Sequence, residues 1–297
     1  MPVLSSFDNV SRNEGTFTFP RLFVAPPRLA HGIRRLELDK NYDIRVNSTI
    51  SDIKNDKASY KFIAPDSSEG APSRGVNDVF ALAPSDLDFL TGEYIRDLEV
   101  YPDTPATVRI NFERRFVTPP KVVVFFNRLE FDKSHGWRAT TTASDIDVNG
   151  FTLTINTWSD TILNRAQSCW IAYPEDRGLI FSTSVNTTDV RARDKSQRKT
   201  ENKIPLNSVE FFKTPSVFIA LNSLEIGCTA NLRINAYVDD VSTTNLVWHL
   251  NTSADTVLYS AGATIIAFNS PTGPPPGPPP PQGTVPYNLP NIQGDIL

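Results

Sequence analysis

Apolar and polar residues follow each other along most of this chain with the spacing of β-strands. Residues 150–158 read Gly-Phe-Thr-Leu-Thr-Ile-Asn-Thr-Trp, and apolar side chains occupy every second position from Phe151 to Ile155. This alternation is typical of a strand with one buried face. Residues 121–126 and 216–221 are short, mainly apolar runs, and each follows a proline. Such runs predict strands in the core of a β-sandwich.

The proline content agrees with this pattern. The chain has 24 prolines and a single methionine, and proline breaks helix interiors because it lacks a backbone donor. Thr118 and Thr214 precede prolines and are therefore biased toward extended backbone, as at a corner between strands. The sequence thus predicts an all-β fold and argues against a helical bundle.

The strand pattern occurs three times. Pro27, Pro120 and Pro215 mark the same position in successive copies, at intervals of 93 (120 − 27) and 95 (215 − 120) residues. A Leu-Glu pair begins nine residues after each of these prolines, and an arginine follows nine residues after each leucine. The pairs and arginines are Leu36-Glu37 and Arg45, Leu129-Glu130 and Arg138, and Leu224-Glu225 and Arg233. So regular a spacing predicts three copies of one structural unit.

We therefore divide the chain into three units, residues 1–84, 85–174 and 175–270. Each is predicted to be a six-stranded antiparallel β-sandwich. Residues 271–290 are rich in proline and predict an extended, semi-rigid spacer. A proline-rich ligand for an SH3-type domain is the alternative, although the flanking arginine of such ligands is missing. A distinct short motif, residues 291–297, ends the sequence.

Charge and hydropathy exclude several kinds of partner. The net charge is −4 and the pI is about 5.5, so no broad cationic field is available for nucleic acid. The N-terminus lacks a basic region followed by an apolar stretch, and no apolar run approaches the roughly 18 residues of a membrane span. Cys169 and Cys228 are expected to be free thiols, as suits a reducing compartment. We therefore expect a cytoplasmic protein without membrane insertion, with release outside the classical secretory route as the alternative.

The residues argue against an enzyme. His31, His135 and His249 lie at non-equivalent positions of the three units, so the repeat offers no shared metal ligand or catalytic base. Asp145 and Asp147 could act as a glycosidase pair, but they follow a strand end, where surface carboxylates are common. We expect neither a cofactor nor a metal ion.

The second unit resembles the H-type lectins, the family of snail agglutinins and of the C-terminal part of slime-mould discoidins. The motifs Phe-x-x-Pro-Pro, Leu-Glu-Phe-Asp, Trp-Arg-Ala, Thr-Trp-Ser-Asp-Thr and Ser-Cys-Trp-Ile-Ala occur between Phe116 and Tyr173 in the order and spacing of that family. The third unit is similar throughout, and the first only in its front half. The resemblance implies six-stranded sandwiches that assemble as trimers and bind GalNAc or galactose near subunit junctions. Three tandem units then imply a single-chain pseudo-trimer, in which tethering keeps neighbouring units at high effective concentration.

The resemblance also implies which residues contact sugar. They are an arginine (Arg45, Arg138, Arg233), a tryptophan (Trp158), a tyrosine (Tyr259) and an aspartate (Asp8, Asp103, Asp194). The tryptophan position is Pro65 in the first unit and Ser253 in the third, and the tyrosine position is Ala71 in the first and Asn164 in the second. The three sites are therefore expected to be unequal.

Each of these residues also has a purely structural interpretation. The three arginines could pair with the repeated glutamates or line the junctions between units. Trp158 breaks the alternation of residues 151–155, which favours exposure, but it could be a core residue. Tyr259 could be packed at an interface. Trp170, in an apolar closing strand, is expected to belong to the core.

Two functions follow from these observations. The first is a multivalent lectin, an agglutinin for glycans that end in GalNAc or galactose, with further self-association of the pseudo-trimer left open. The second is a scaffold or targeting module of degenerate lectin units that presents its tail or a fused domain. Residues 291–297, Asn-Ile-Gln-Gly-Asp-Ile-Leu, resemble a stretch near the start of fungal dye-decolourising peroxidases, which motivates this alternative.

Overall fold

The structure, a computed structural model, describes residues 1–8, 14–64, 74–97 and 104–269. Over these residues the chain forms eighteen β-strands and one 3-10 turn, Thr187–Asp189, and no α-helix. The predicted all-β class is thereby confirmed. Within the same residues, no helix has the length and apolar character required to cross a bilayer. The proline-rich segment and the motif at residues 291–297 lie outside the described residues.

The strands fall into three groups of six that follow the repeat. The first unit contains β1 (Val3–Asp8), β2 (Glu14–Thr18), β3 (Arg28–Leu38), β4 (Ile44–Ser51), β5 (Lys57–Ile63) and β6 (Arg74–Leu82). The second contains β7 (Leu90–Arg96), β8 (Ala106–Asn111), β9 (Lys121–Phe131), β10 (Trp137–Asp147), β11 (Gly150–Asn156) and β12 (Leu163–Tyr173). The third contains β13 (Ile180–Asn186), β14 (Glu201–Pro205), β15 (Ser216–Ile226), β16 (Leu232–Asp239), β17 (Asn245–Asn251) and β18 (Leu258–Phe268).

The hydrogen-bonded sheets cross the boundaries between units. There are three six-stranded antiparallel sheets among the described strands, in the orders β1-β6-β3-β16-β17-β14, β13-β18-β15-β10-β11-β8 and β2-β5-β4-β9-β12-β7. Each sheet takes three strands from one unit and three from another. The six strands of a unit are therefore shared between two sheets, and no unit completes its sandwich by its own hydrogen bonds.

The three junctions between units have the same register. At each, the strand that carries the repeated arginine pairs with the strand that carries the glutamate of another unit. The opposed residues are Arg45 and Glu130 in β4–β9, Arg138 and Glu225 in β10–β15, and Arg233 and Glu37 in β16–β3. The first unit thus joins the second, the second joins the third, and the third joins the first. This closed ring is the arrangement that a single-chain pseudo-trimer requires.

Apolar side chains from all three units meet inside the ring. Phe80, Phe125 and Phe218 belong to one buried cluster, and the ring of Phe218 lies 6.1 Å from that of Phe80 and 4.8 Å from that of Phe125. Gly32 lies where these units touch, since a Cβ there would be 2.4 Å from the Cβ of Ala220. Burying a phenylalanine side chain contributes about 1.5–3 kcal/mol, so this cluster stabilises all three junctions together.

Two smaller predictions are also confirmed. Trp170 is 6% exposed and packs against Phe112 and Phe151 in the core of the second unit. Cys169 and Cys228 are free thiols.

Candidate functional site

A short loop after β11 holds Arg138 in the second unit. The Thr157 hydroxyl donates to the Arg138 carbonyl oxygen at 2.6 Å, and the Thr161 hydroxyl donates to the Gly136 carbonyl oxygen. Ser159 adopts a positive φ of 64° between them. This tight turn directs the Asp160 carboxylate to the Arg138 guanidinium, with Nη1 and Oδ1 2.5 Å apart.

The third unit repeats this loop after β17. The Thr252 hydroxyl donates to the Arg233 carbonyl oxygen at 2.6 Å, and Ala254 has a φ of 54°. Asp255 accepts a 2.7 Å hydrogen bond from Nη1 of Arg233. The sequence motif Asp-Thr, 22 residues after each of the two arginines, is the signal that would have identified Asp160 and Asp255 as their partners.

Glu225 is the centre of the junction between the second and third units. Its carboxylate is 2% exposed and accepts hydrogen bonds from Arg193 Nε at 2.7 Å, Ser260 Oγ at 3.2 Å and Trp158 Nε1 at 3.4 Å. Nε of Arg138 lies 3.4 Å away. Burial acts to raise the pKa of Glu225, but the hydrogen bonds from Arg193, Trp158 and Ser260 outweigh it and lower the pKa. Glu225 therefore stays ionised and fixes the side chains around it.

At this junction, two residues of the second unit that were predicted to contact sugar lie near one such residue of the third unit. Arg138 and Trp158 come from the second unit, and Tyr259 stands beside them with Arg193, whose Cζ lies 5.9 Å from the Tyr259 ring centre. Trp158 and Tyr259 are half-buried and Arg193 is 61% exposed. The surface thus presents an indole, a phenol and a guanidinium within one composite cluster, which we call the 2–3 site.

Arg193 was missed by sequence reasoning, which selected its neighbour Asp194. Asp194 is exposed in the segment that follows the 3-10 turn, while Arg193 reaches Glu225. Arg193 lies upstream of the regularly spaced residues, which begin at Pro215 in the third unit, so the repeat gave no signal for it.

The junction between the third and first units has a different surface. Nε of Arg233 lies 3.7 Å from Glu37, and a cleft of about 310 Å³ opens beside them. Lys199 and Tyr237 line this cleft together with Ser253, at the position that Trp158 holds in the second unit. The cleft has donors and one phenol but lacks the indole.

The junction between the first and second units differs again. Arg45 is 64% exposed and pairs with Asp43 of its own unit at 3.1 Å. Glu130 instead contacts Arg128 at 2.7 Å and Arg165 at 3.8 Å. Within the described part of the chain, Arg45 therefore lacks the carboxylate contact from the neighbouring unit that Arg138 and Arg233 have.

The remaining aspartates do not form one equivalent set. Asp103 lies outside the described residues. Asp8 ends β1 opposite Val76 and accepts a 2.8 Å hydrogen bond from Arg74. In the third unit the corresponding position, opposite Gly262, is Asn186 and not Asp194.

Two parts of the chain match a known protein family. Residues 107–173 and 208–268 match the family model of the H-type lectin domain. No curated protein matches the chain significantly. Among solved structures, the chain is similar to discoidin II of Dictyostelium discoideum, with 13% identity, a TM-score of 0.27 and coverage of 54% of this chain and 82% of that chain.

Proposed function

We propose, on the premise that the second and third units match the H-type lectin domain, that the chain is a multivalent lectin for glycans that end in GalNAc or galactose. The observation that carries the proposal is the 2–3 site, where Arg138 and Trp158 of one unit meet Arg193 and Tyr259 of the next around Glu225.

The chemistry of this cluster suits a sugar. A galactose-type ring has an apolar face that stacks on an aromatic side chain and hydroxyl groups that need fixed donors and acceptors. Trp158 and Tyr259 supply aromatic surface, and the exposed guanidinium of Arg193 supplies donors. Asp160 is 58% exposed, so its carboxylate can accept hydrogen bonds from paired hydroxyls. These groups support binding and require no catalytic step.

We further propose that the three junctions contribute unequally. The 2–3 site has both aromatic side chains, the cleft beside Arg233 has Tyr237 but no indole, and Arg45 is held within its own unit. Several weak sites on the three joined units bind a glycan-covered surface more tightly than any one site alone. The reason is that binding at one site raises the effective concentration of glycan at the others.

Binding to immobilised glycans tests this proposal. We expect the full chain to bind GalNAc- or galactose-terminated glycans and not to bind mannose-terminated ones. Free GalNAc should then compete with the immobilised glycans for the protein. The absence of any response to GalNAc- and galactose-terminated glycans would refute the proposal.

A further inference from the structure

Three side chains with metal-binding donor atoms meet at the junction between the first and second units. They are His31 on β3, Glu93 on β7 and Cys169 on β12, and one ligand atom of each lies within 4.8 Å of the others. The Cys169 thiol donates to Glu93 Oε1 at 3.2 Å, and the same oxygen lies 3.9 Å from His31 Nδ1. The donors are 62 (93 − 31) and 76 (169 − 93) residues apart in sequence, so only the fold brings them together.

The imidazole of His31 is oriented for coordination. Its Nε2 lies 2.9 Å from the Ser48 carbonyl oxygen, and because a carbonyl oxygen only accepts, Nε2 carries the proton. In the neutral ring, Nδ1 then has the lone pair, on the side of Glu93. A backbone carbonyl that fixes the second nitrogen is the usual support for a histidine ligand.

Glu93 has matching support. Its Oε1 accepts from Asn127 Nδ2 at 3.1 Å, and its Oε2 accepts from Gln167 Nε2 at 2.5 Å. The Glu93 side chain is 46% exposed and lines a cavity of about 520 Å³ together with His31, Ser48 and Gln167. The cluster is thus held by a second layer of hydrogen bonds and is reachable from solvent.

The equivalent junction between the second and third units shows that this donor set is not part of the shared framework. Glu93 lies opposite Cys169, and the corresponding pair in the third unit is Ser184 and Thr264. His31 corresponds to Val124, which lines a similar cavity of about 380 Å³ with Ser184. One junction therefore has sulfur, nitrogen and carboxylate donors where its counterpart has an apolar side chain and two hydroxyls.

We propose that His31, Glu93 and Cys169 form a binding site for a divalent transition-metal ion of the zinc class. Thiolate, imidazole and carboxylate are the ligands that zinc takes in proteins, and three protein ligands leave a fourth tetrahedral position for water on the side of the cavity. Coordination requires the thiolate, so the proton that Cys169 now shares with Glu93 passes to solvent when the metal binds.

Titration of the metal-free full chain with Co²⁺ tests the proposal, because tetrahedral Co²⁺ with a thiolate ligand has visible ligand-field bands and a sulfur-to-metal charge-transfer band. We expect one Co²⁺ per chain and displacement of these bands by Zn²⁺. Cys169→Ser should abolish the charge-transfer band. Cys228→Ser, the matched control, should retain it. Glu93→Gln should weaken metal affinity at least about tenfold.

Three results would refute the metal site. The first is the absence of a charge-transfer band in the wild-type protein, and the second is a band that survives Cys169→Ser but is lost in Cys228→Ser. The third is a metal affinity that Glu93→Gln leaves unchanged. Because Cys169 is fully buried, circular dichroism of each metal-free variant checks its fold. If Cys169→Ser does not fold, the half-exposed Glu93→Gln variant and the Cys228→Ser control decide the question.

Discussion

Arg138 on β10 lies opposite Glu225 on β15, so the repeated arginine of one unit faces the repeated glutamate of the next. Their side chains are 14% and 2% exposed, with Nε and Oε1 3.4 Å apart. The same opposition recurs at the two other junctions, but Glu37 is 42% exposed and Arg45 is 64% exposed. A single sequence feature thus marks all three junctions, while only Glu225 is fully enclosed.

The first prediction concerns this enclosure. Glu225→Gln leaves Arg138 and Arg193 without their shared charge partner, and breaking a largely buried pair costs about 3–5 kcal/mol. Because Arg193 is exposed, we expect a loss of about 3 kcal/mol in the free energy of unfolding, measured with urea. Glu37→Gln, the matched control, should cost no more than about 1 kcal/mol because its pair is exposed. Equal losses would show that burial does not distinguish the two junctions.

The second prediction separates sugar binding from stability at the 2–3 site. Trp158→Ala removes the indole from a half-buried loop position and should abolish most GalNAc binding at this site, measured by calorimetry, with a small change in melting temperature. Arg138→Ala is a poorer probe, since Arg138 also pairs with Asp160 and Glu225, and should lower both affinity and stability.

Ser253→Ala is the control for Trp158→Ala, because Ser253 is exposed at the equivalent position of the third unit. It should leave stability and binding at the 2–3 site unchanged. A large loss of stability in Trp158→Ala, with binding at the remaining sites intact, would instead identify Trp158 as a structural residue.

The third prediction concerns pH. Asp78 is buried, pairs with Arg34 at 2.9 Å and accepts from the Ile219 amide of the third unit at 3.2 Å. Burial raises the pKa of Asp78 to about 6, from its ordinary 3.8. The folded state therefore holds the proton more tightly, and the stability that Asp78 contributes is complete below about pH 4 and lost as the pH rises through 6.

The contribution of Asp78 to the free energy of unfolding falls by at most about 3 kcal/mol as the pH rises. It is measured as the difference in unfolding free energy between wild type and Asp78→Asn from pH 4 to pH 8. We expect wild type to become less stable relative to the variant over this range. Exposed Asp147 is the control, because a hydrogen bond from the Asn149 amide lowers its pKa. The stability that Asp147 contributes is therefore lost as the pH falls, which is the opposite direction. A difference for Asp78→Asn that is constant with pH would contradict the prediction.

The sequence predicted the fold well because the repeat is exact where the backbone is constrained. Equal offsets from Pro27, Pro120 and Pro215 located the arginines and glutamates, and the apolar alternation located the strands. Spacing alone did not show that each arginine faces the glutamate of another unit, since both partnerships fit the same intervals. The junction register is decided by the tertiary packing of strand edges.

The sites were harder to predict than the fold because they depend on departures from the repeat. Ser184 of the third unit stands at the position of Glu93, and Arg193 lies upstream of the regularly spaced residues, so comparison of the copies gave no reason to select either. The expectation that the protein binds no metal ion rested on the non-equivalent positions of the histidines in the three units. His31 meets Glu93 and Cys169 of a different unit, and the repeat carries no information about such a contact.

The last prediction tests whether the three units close around a common centre. Gly32 of the first unit faces the other two, since an added Cβ would lie 2.4 Å from Ala220 Cβ and 2.6 Å from Phe125 Cδ2. Gly32→Ala must displace a buried side chain or strand, and overpacking of this kind costs about 1–3 kcal/mol.

Gly178→Ala is the matched control, because nothing lies within 4 Å of its added Cβ, and it should leave the urea midpoint nearly unchanged. The same scan monitored by far-UV circular dichroism, which reports on the strands of all three units, should show one transition for Gly32→Ala, shifted to lower urea, because the strands of every unit are shared with its neighbours. Separate transitions would mean that the first unit unfolds independently. Equal midpoints for the two variants would mean that Gly32 is not packed between the second and third units.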